Sequence, residues 1–184
     1  MRFAIFFPLA FLLLLAAACQ PDPPLFRPVD SRQSGIRFSN DLVTNDTFNA
    51  VVYEYIYNGG GVAAGDVNGD GWVDLFFTGN QVSSRLYLNR GGLRFEDVTE
   101  AAGVGTDRWC TGVAMADVND DGRLDIYVSV AGFQVPEARM ANLLFINEGW
   151  DEAGIPRFAE QAAAYGLDDR GYSTQGAFFD YDRD

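Results

Sequence analysis

The chain has 184 residues, with 26 acidic and 13 basic side chains, no histidine, two cysteines and a formal net charge of −13. The lack of imidazole excludes catalytic triads and metal sites that depend on histidine, and the negative charge argues against nucleic acids and anionic lipid surfaces, which would be repelled. Since 48% of the residues are hydrophobic, we expect a folded chain whose natural ionic ligands are cations.

The N-terminus has the pattern of an export signal over residues 1–18. Arg2 precedes an apolar run that is too short to span a bilayer as a permanent helix. The sequence LLAAAC ends at Cys19 and resembles a bacterial lipobox, in which this cysteine becomes lipidated; an ordinary signal peptide with a nearby cysteine is the alternative. Residues 19–34 include a proline-rich stretch and are expected to form an extended tether. Because Gln20 is not a retention aspartate, the pattern predicts a lipoprotein of the outer membrane or cell surface.

The rest of the chain repeats itself. GVAAGDVNGDGWVDLFF at 61–77 recurs as GVAMADVNDDGRLDIYV at 112–128, and GAFFDYDRD at 176–184 begins a third copy. The material between the copies also corresponds, with Asn89 matching Asn147. A repeat of this length with several short β-type runs is typical of propeller blades. We therefore predict an all-β fold of β-propeller blades with about four antiparallel strands each, incomplete in this chain, over residues 35–184.

The expected strands follow in chain order as GVAA, WVDLFFTG, RLYLN and LRFEDV in the first copy, then GVAMA, RLDIYVSV and NLLFI in the second. TEAAGV and EQAAAYGL allow at most one helical turn each, which argues against a helical solenoid. Cys110 lies among apolar residues and is expected to be an inert, buried thiol. The aromatic side chains expected to pack in the core are Trp72, Tyr87, Phe95, Trp109, Tyr127 and Tyr172.

Each full copy contains a nine-residue acidic loop, D-x-N-x-D-G-x-x-D, at 66–74 and 117–125. It opens like an EF-hand loop, but its twelfth position is Phe77 and not the closing glutamate. Side chains at positions one, three, five and nine and the carbonyl of position seven offer oxygen ligands that suit Ca²⁺. Three crowded carboxylates also raise one another's pKa values unless a cation neutralises them; a pair of acidic β-turns is the alternative. The predicted ligands are Asp66, Asn68, Asp70, Trp72 and Asp74 in the first loop, Asp117, Asn119, Asp121, Arg123 and Asp125 in the second, and Asp180, Asp182 and Asp184 in a partial third loop at 180–184.

These motifs resemble the FG-GAP/VCBS repeats of integrin-α-like β-propellers, and their combination with GYSTQGAFFDYDRD resembles bacterial lipoproteins that often end in an ASPIC/UnbV module. The resemblance covers about residues 35–184 and implies a calcium-stabilised extracellular recognition scaffold. We expect this scaffold to bind a glycan or a surface protein. A propeller-based extracellular hydrolase or lyase acting on polysaccharide is the alternative. The pair Glu96 and Asp97 does not favour it, because neighbouring residues of a strand point to opposite faces.

Overall fold

The computed structural model describes residues 24–132 and 136–182. Their regular structure is nearly all β, in two four-stranded antiparallel sheets whose strands lie in sequence order. The predicted all-β class is confirmed. The predictions for residues 1–18, Cys19 and Asp184 lie outside the described residues. Within the described ranges, no helix has the length and apolar character needed to cross a membrane.

The two sheets correspond to the two full sequence repeats, and we call them blade 1 and blade 2. Blade 1 consists of β1 (Val62–Gly65), β2 (Asp74–Phe77), β3 (Arg85–Asn89) and β4 (Phe95–Asp97), and blade 2 of β5 (Cys110–Ala116), β6 (Asp125–Val130), β7 (Leu143–Trp150) and β8 (Pro156–Glu160). The short helical elements are α1 (Ser31–Ser34), α2 (Thr99–Ala102) and the 3₁₀ turn η1 (Glu137–Arg139).

The strand β8 is absent from the strands expected in the second copy. It begins at Pro156, which lies opposite Trp150 beyond an irregularity in the β7–β8 register. Proline is tolerated at the first residue of an edge strand because its missing N–H is not needed there. TEAAGV was expected to allow at most one helical turn, and it contains the four-residue α2, which is followed by Gly103 in the left-handed conformation.

The hydrophobic core joins the two blades. One cluster of buried side chains includes Phe76 and Leu86 from blade 1 and Ile126 and Val128 from blade 2. Cys110 belongs to the same cluster, and burial raises the pKa of its thiol. The predicted burial of this thiol is therefore confirmed, and its inertness stays a prediction.

The first strands of the two blades, β1 and β5, approach each other closely. The Gly61 N–H donates to the Thr111 carbonyl at 2.6 Å, and a side chain at Gly61 would place its Cβ only 3.1 Å from the Val113 nitrogen. The Thr111 hydroxyl in turn donates to the Ser173 carbonyl at 2.8 Å. The segment that leads into the third copy thus lies against β5.

Two of the aromatic predictions are wrong. Trp72 is 52% exposed because it lies in the acidic loop, outside the sheet, and Tyr172 is 69% exposed. Tyr87 and Trp109 are buried as expected. The remaining two, Phe95 and Tyr127, are half-buried.

Antiparallel connections alternate between the two ends of a blade. The β1–β2 and β5–β6 connections carry the acidic loops, so these loops lie at one common end, which we call the loop end. The segments that lead into β1 and β5 lie at the other end, which we call the entry end. The fold therefore separates the acidic loops from the surface formed around Trp109.

Candidate functional site

The first acidic loop folds around its own carboxylates. The Asp66 carboxylate accepts hydrogen bonds from the N–H groups of Gly69 and Gly71, both at 2.8 Å. Both glycines have positive φ, which allows the chain to turn sharply around the carboxylate. The Asp70 carboxylate accepts from the Trp72 N–H at 2.8 Å. These contacts join residues no more than five positions apart, so the local sequence is sufficient to specify them.

The second acidic loop repeats this pattern. The Asp117 carboxylate accepts from the Gly122 N–H at 2.7 Å, and the Asp121 carboxylate accepts from the Arg123 N–H at 3.0 Å. Asp120 takes the left-handed conformation at φ 55°, at the position that Gly69 occupies in the first loop. Aspartate adopts this conformation more readily than most residues.

The amide at position three has the same role in both loops. The side-chain N–H₂ of Asn68 donates to the Asp70 carboxylate at 3.0 Å, and that of Asn119 donates to Asp121 at 2.9 Å. The structure thus pairs the side chains of positions three and five in each loop, while the carboxylate of position one binds backbone N–H groups.

The aspartate at position nine is buried and connects its loop to the third strand of the blade. Asp74 Oδ2 accepts from the Val67 N–H at 3.0 Å, and Oδ1 accepts from the Asn89 N–H at 2.8 Å. Asp125 makes the same two bonds in blade 2, to Val118 at 3.0 Å and to Asn147 at 2.8 Å. This carboxylate therefore satisfies two backbone donors besides any ligand it binds.

The sequence analysis assigned no role to Asn89 and Asn147, which occupy matching positions in the third strand of each blade. The Asn89 side chain donates to the Val73 carbonyl at 3.1 Å. Asn147 donates to the Leu124 carbonyl at 3.2 Å and also to the Val67 carbonyl of blade 1 at 2.8 Å. The sequence did contain a signal for this role, because both asparagines are the last residue of matching runs, RLYLN and LLFIN.

The charge environment differs among the carboxylates. Burial raises the pKa of Asp74 from its usual 3.8 to about 6, and the charges of Asp70 and Asp66 add to this shift. Burial likewise raises the pKa of Asp125. For Asp117, desolvation acts upward, but hydrogen bonds from backbone N–H groups outweigh it and lower the pKa. The expected rise in pKa thus occurs at position nine of both loops, whereas the pKa at the first position of the second loop is lowered.

Position seven distinguishes the loops. In the first loop it is the exposed Trp72. In the second it is Arg123, whose guanidinium lies 2.5 Å from the Asp121 carboxylate and also donates to the Asn147 carbonyl at 2.9 Å. The second loop thus contains its own counter-cation.

The donor chemistry fits Ca²⁺, but the side chains are not gathered into a cage. Within the described ranges, no group of three or more His, Cys, Asp or Glu side chains has the arrangement of a metal site. The carboxylates of positions one and five face the amides of their own loop. A carboxylate oxygen that accepts one N–H keeps further acceptor capacity, so hard oxygen ligands remain for a cation once these side chains converge. In the partial third loop, Asp180 and Asp182 are exposed.

Comparison with known families supports the repeat. The model of the FG-GAP-like repeat matches residues 66–128, from the first acidic loop to within β6. A comparison with curated proteins finds no match for the chain. The prediction of an FG-GAP-like repeat is therefore confirmed for this part of the chain.

Proposed function

We propose that this chain forms part of a calcium-stabilised, extracellular β-propeller that acts as a binding scaffold. An FG-GAP-like repeat suggests a propeller-like binding scaffold. The observation that carries the proposal is the recurrence of one acidic loop, with the same hydrogen bonds, at the same place in two blades. A pair of unrelated acidic turns would have no reason to share the buried aspartate of position nine.

The first loop supplies the electrostatic reason for a cation. The charges of Asp66 and Asp70 disfavour ionisation of the buried Asp74. Among the described residues, no arginine forms an ion pair with any of these three carboxylates. When bound, Ca²⁺ would supply the missing positive charge, with Asp66, Asp70 and Asp74 as its carboxylate ligands.

We propose binding in preference to catalysis because the adjacent acidic pair of β4, Glu96 and Asp97, is already engaged. Glu96 forms an ion pair with Arg90 at 2.8 Å. Asp97 accepts hydrogen bonds from the N–H and the hydroxyl of Thr99 and lies 3.8 Å from Arg85. A polysaccharide-cleaving activity in the purified protein that is lost on Glu96→Gln would contradict this part of the proposal.

The proposed location is the outer membrane, with the chain anchored through lipidated Cys19. The support is the sequence LLAAAC after an apolar run. Mass spectrometry of the N-terminal peptide should find an acylated cysteine, and Cys19→Ser should move the protein to the soluble fraction. An unmodified N-terminus at another residue would contradict the anchor.

Thermal unfolding tests the calcium proposal. In a chelated sample at high sodium chloride, added Ca²⁺ should raise the melting temperature, since a ligand of the folded state adds about 2.7 kcal/mol per site at a hundredfold excess over its dissociation constant. The double variant Asp66→Ala/Asp117→Ala should lose this response. Asp46→Ala, at an exposed aspartate outside the loops, is the matched control and should keep it. An effect that sodium chloride alone reproduces would mean that the loops are acidic turns.

A further inference from the structure

A cleft of about 620 Å³ opens at the entry end of the blades, away from the acidic loops. Trp109 and Tyr53 line it and are nearly buried, each 8% exposed. Tyr55 and Tyr172 line it and are 55% and 69% exposed. Trp109 and Tyr53 thus form a buried aromatic floor, and Tyr55 and Tyr172 form accessible aromatic walls. The volume of the cleft is in the range of ordinary ligand sites.

Ring contacts and backbone bonds hold the floor in place. The Trp109 ring meets the rings of Phe48 at 5.4 Å and Tyr53 at 5.8 Å, both edge to face. The Trp109 carbonyl accepts from the Ala131 N–H at 3.0 Å, which fixes the residue to the end of β6. Because these contacts exist without a ligand, little ordering of the floor is needed on binding.

Polar groups lie among the rings. Glu54 and Asn58 line the cleft. A hydrogen bond from the Tyr55 hydroxyl to the Glu54 carboxylate raises the pKa of that phenol. Phenol hydroxyls both donate and accept, a carboxylate accepts and an amide does both, so the lining suits a ligand with many hydroxyl groups.

We propose that this cleft binds a neutral oligosaccharide. The inference rests on the proposed binding function and gives it a site and a ligand class. A pyranose ring presents an apolar C–H face and a rim of hydroxyls, which match the exposed aromatic surfaces of Tyr55 and Tyr172 and the polar groups beside them. An acidic saccharide would be repelled by Glu54 and by a chain of net charge −13.

An organic cation is the competing ligand for an aromatic site with one carboxylate. A cation cage requires several ring faces directed at one point. Here the Tyr53 ring already meets Tyr55 at 6.0 Å and Trp109 at 5.8 Å, in both cases edge to face. These rings therefore contact one another along the cleft. This arrangement favours an extended ligand over a compact cation.

Calorimetry on the purified full chain in calcium buffer tests the proposal. The probes are linear hexasaccharides of glucose, mannose, xylose and galactose, with hexagalacturonate as the acidic probe and hexalysine as the cationic probe. We expect at least one neutral hexasaccharide to bind with an affinity that does not depend on sodium chloride. Tyr55→Ala and Tyr172→Ala should each weaken that binding by about tenfold.

Tyr57→Ala is the matched control. Tyr57 is 67% exposed and belongs to the same segment, but it lies outside the described lining of the cleft, so its variant should bind like the parent. No binding of any neutral hexasaccharide, or binding that both cleft variants retain, would overturn the proposal. Binding of hexalysine alone, lost in both cleft variants, would assign the cleft to a cation. If calcium still raises the melting temperature in any of these cases, the proposed calcium-stabilised scaffold survives and only the ligand assignment fails.

Discussion

The two acidic loops have nearly the same local hydrogen bonds but different neighbours. In the first loop, Asn68 is 4% exposed and its side chain donates to the Gly154 carbonyl in the β7–β8 connection at 3.1 Å. Trp150 of blade 2 lies beside Gly69, where a side chain would collide with its ring. The corresponding Asn119 of the second loop is exposed. The loop motif therefore determines a conformation, while the neighbouring blade determines burial.

The two loops also differ in whether a positive side chain lies beside their carboxylates. The second loop keeps Arg123 against Asp121, whereas the first has an exposed Trp72 at that position. The more buried loop thus lacks an internal cation, and the more exposed loop has one. If both loops bind Ca²⁺, we expect the first loop to depend on it more strongly for stability.

The largest expected effect comes from the aspartate of position nine. Asp74→Ala leaves the N–H groups of Val67 and Asn89 without an acceptor in a buried region, and should lower the free energy of unfolding by about 3 kcal/mol. Asp125→Ala should cost less, about 2 kcal/mol, because Val118 is only half-buried. Urea unfolding in chelated buffer measures both. Equal losses, or a larger loss for Asp125→Ala, would show that burial of the loop does not set the cost.

The asparagine pair gives the next largest difference. Asn147→Ala removes bonds to Leu124 and across the blade boundary to Val67, and should cost about 2 kcal/mol. Asn89→Ala removes the single side-chain donation to Val73 and should cost about 1 kcal/mol. Urea midpoints compare the two variants. A loss for Asn89→Ala as large as that for Asn147→Ala would argue that the bond between blades contributes nothing.

The raised pKa of Asp74 predicts a pH dependence in calcium-free buffer. Because the folded pKa of about 6 exceeds the usual 3.8, the folded state binds more protons in this interval, and the contribution to stability falls as pH rises through it. Between pH 5 and 7 the loss from this group is about 1 kcal/mol. Asp74→Asn removes the titration, so subtracting its profile from that of the parent should isolate the decline. A difference that is flat or rises with pH would contradict the assignment.

The smallest expected effect concerns position seven. Arg123→Ala frees Asp121 from its ion pair and should strengthen calcium binding at the second loop by about two- to fivefold, since exposed ion pairs are weak. Trp72→Arg introduces the same charge into the first loop and should weaken its binding by a similar factor. Calcium titration calorimetry, with the other loop disabled by Asp66→Ala or Asp117→Ala, separates the sites. Unchanged affinities would mean that the guanidinium does not compete with the ion.

The sequence by itself determined the repeats, the β-type runs and the conformation of each acidic loop. These features depend on contacts between close neighbours in the chain, such as the bonds from Gly69 and Gly71 to Asp66. The periodic spacing and the left-handed glycines are local properties, and a short motif is sufficient to encode them. For the same reason the first seven strands were expected near their observed positions, whereas β8, which begins at a proline, was not among the expected strands.

Only the tertiary structure decided which parts of the motif are buried and what surrounds them. The bond from Asn147 to Val67 joins residues 80 positions apart, and no local pattern contains that information. The exposure of Trp72 and Tyr172, which were expected in the core, likewise became known only from the structure. The cleft around Trp109 brings together residues 51–59 and residues near the third copy, which are distant in sequence. Burial and pKa depend on the packing of distant segments, because the dielectric environment of a side chain is created by whatever packs around it.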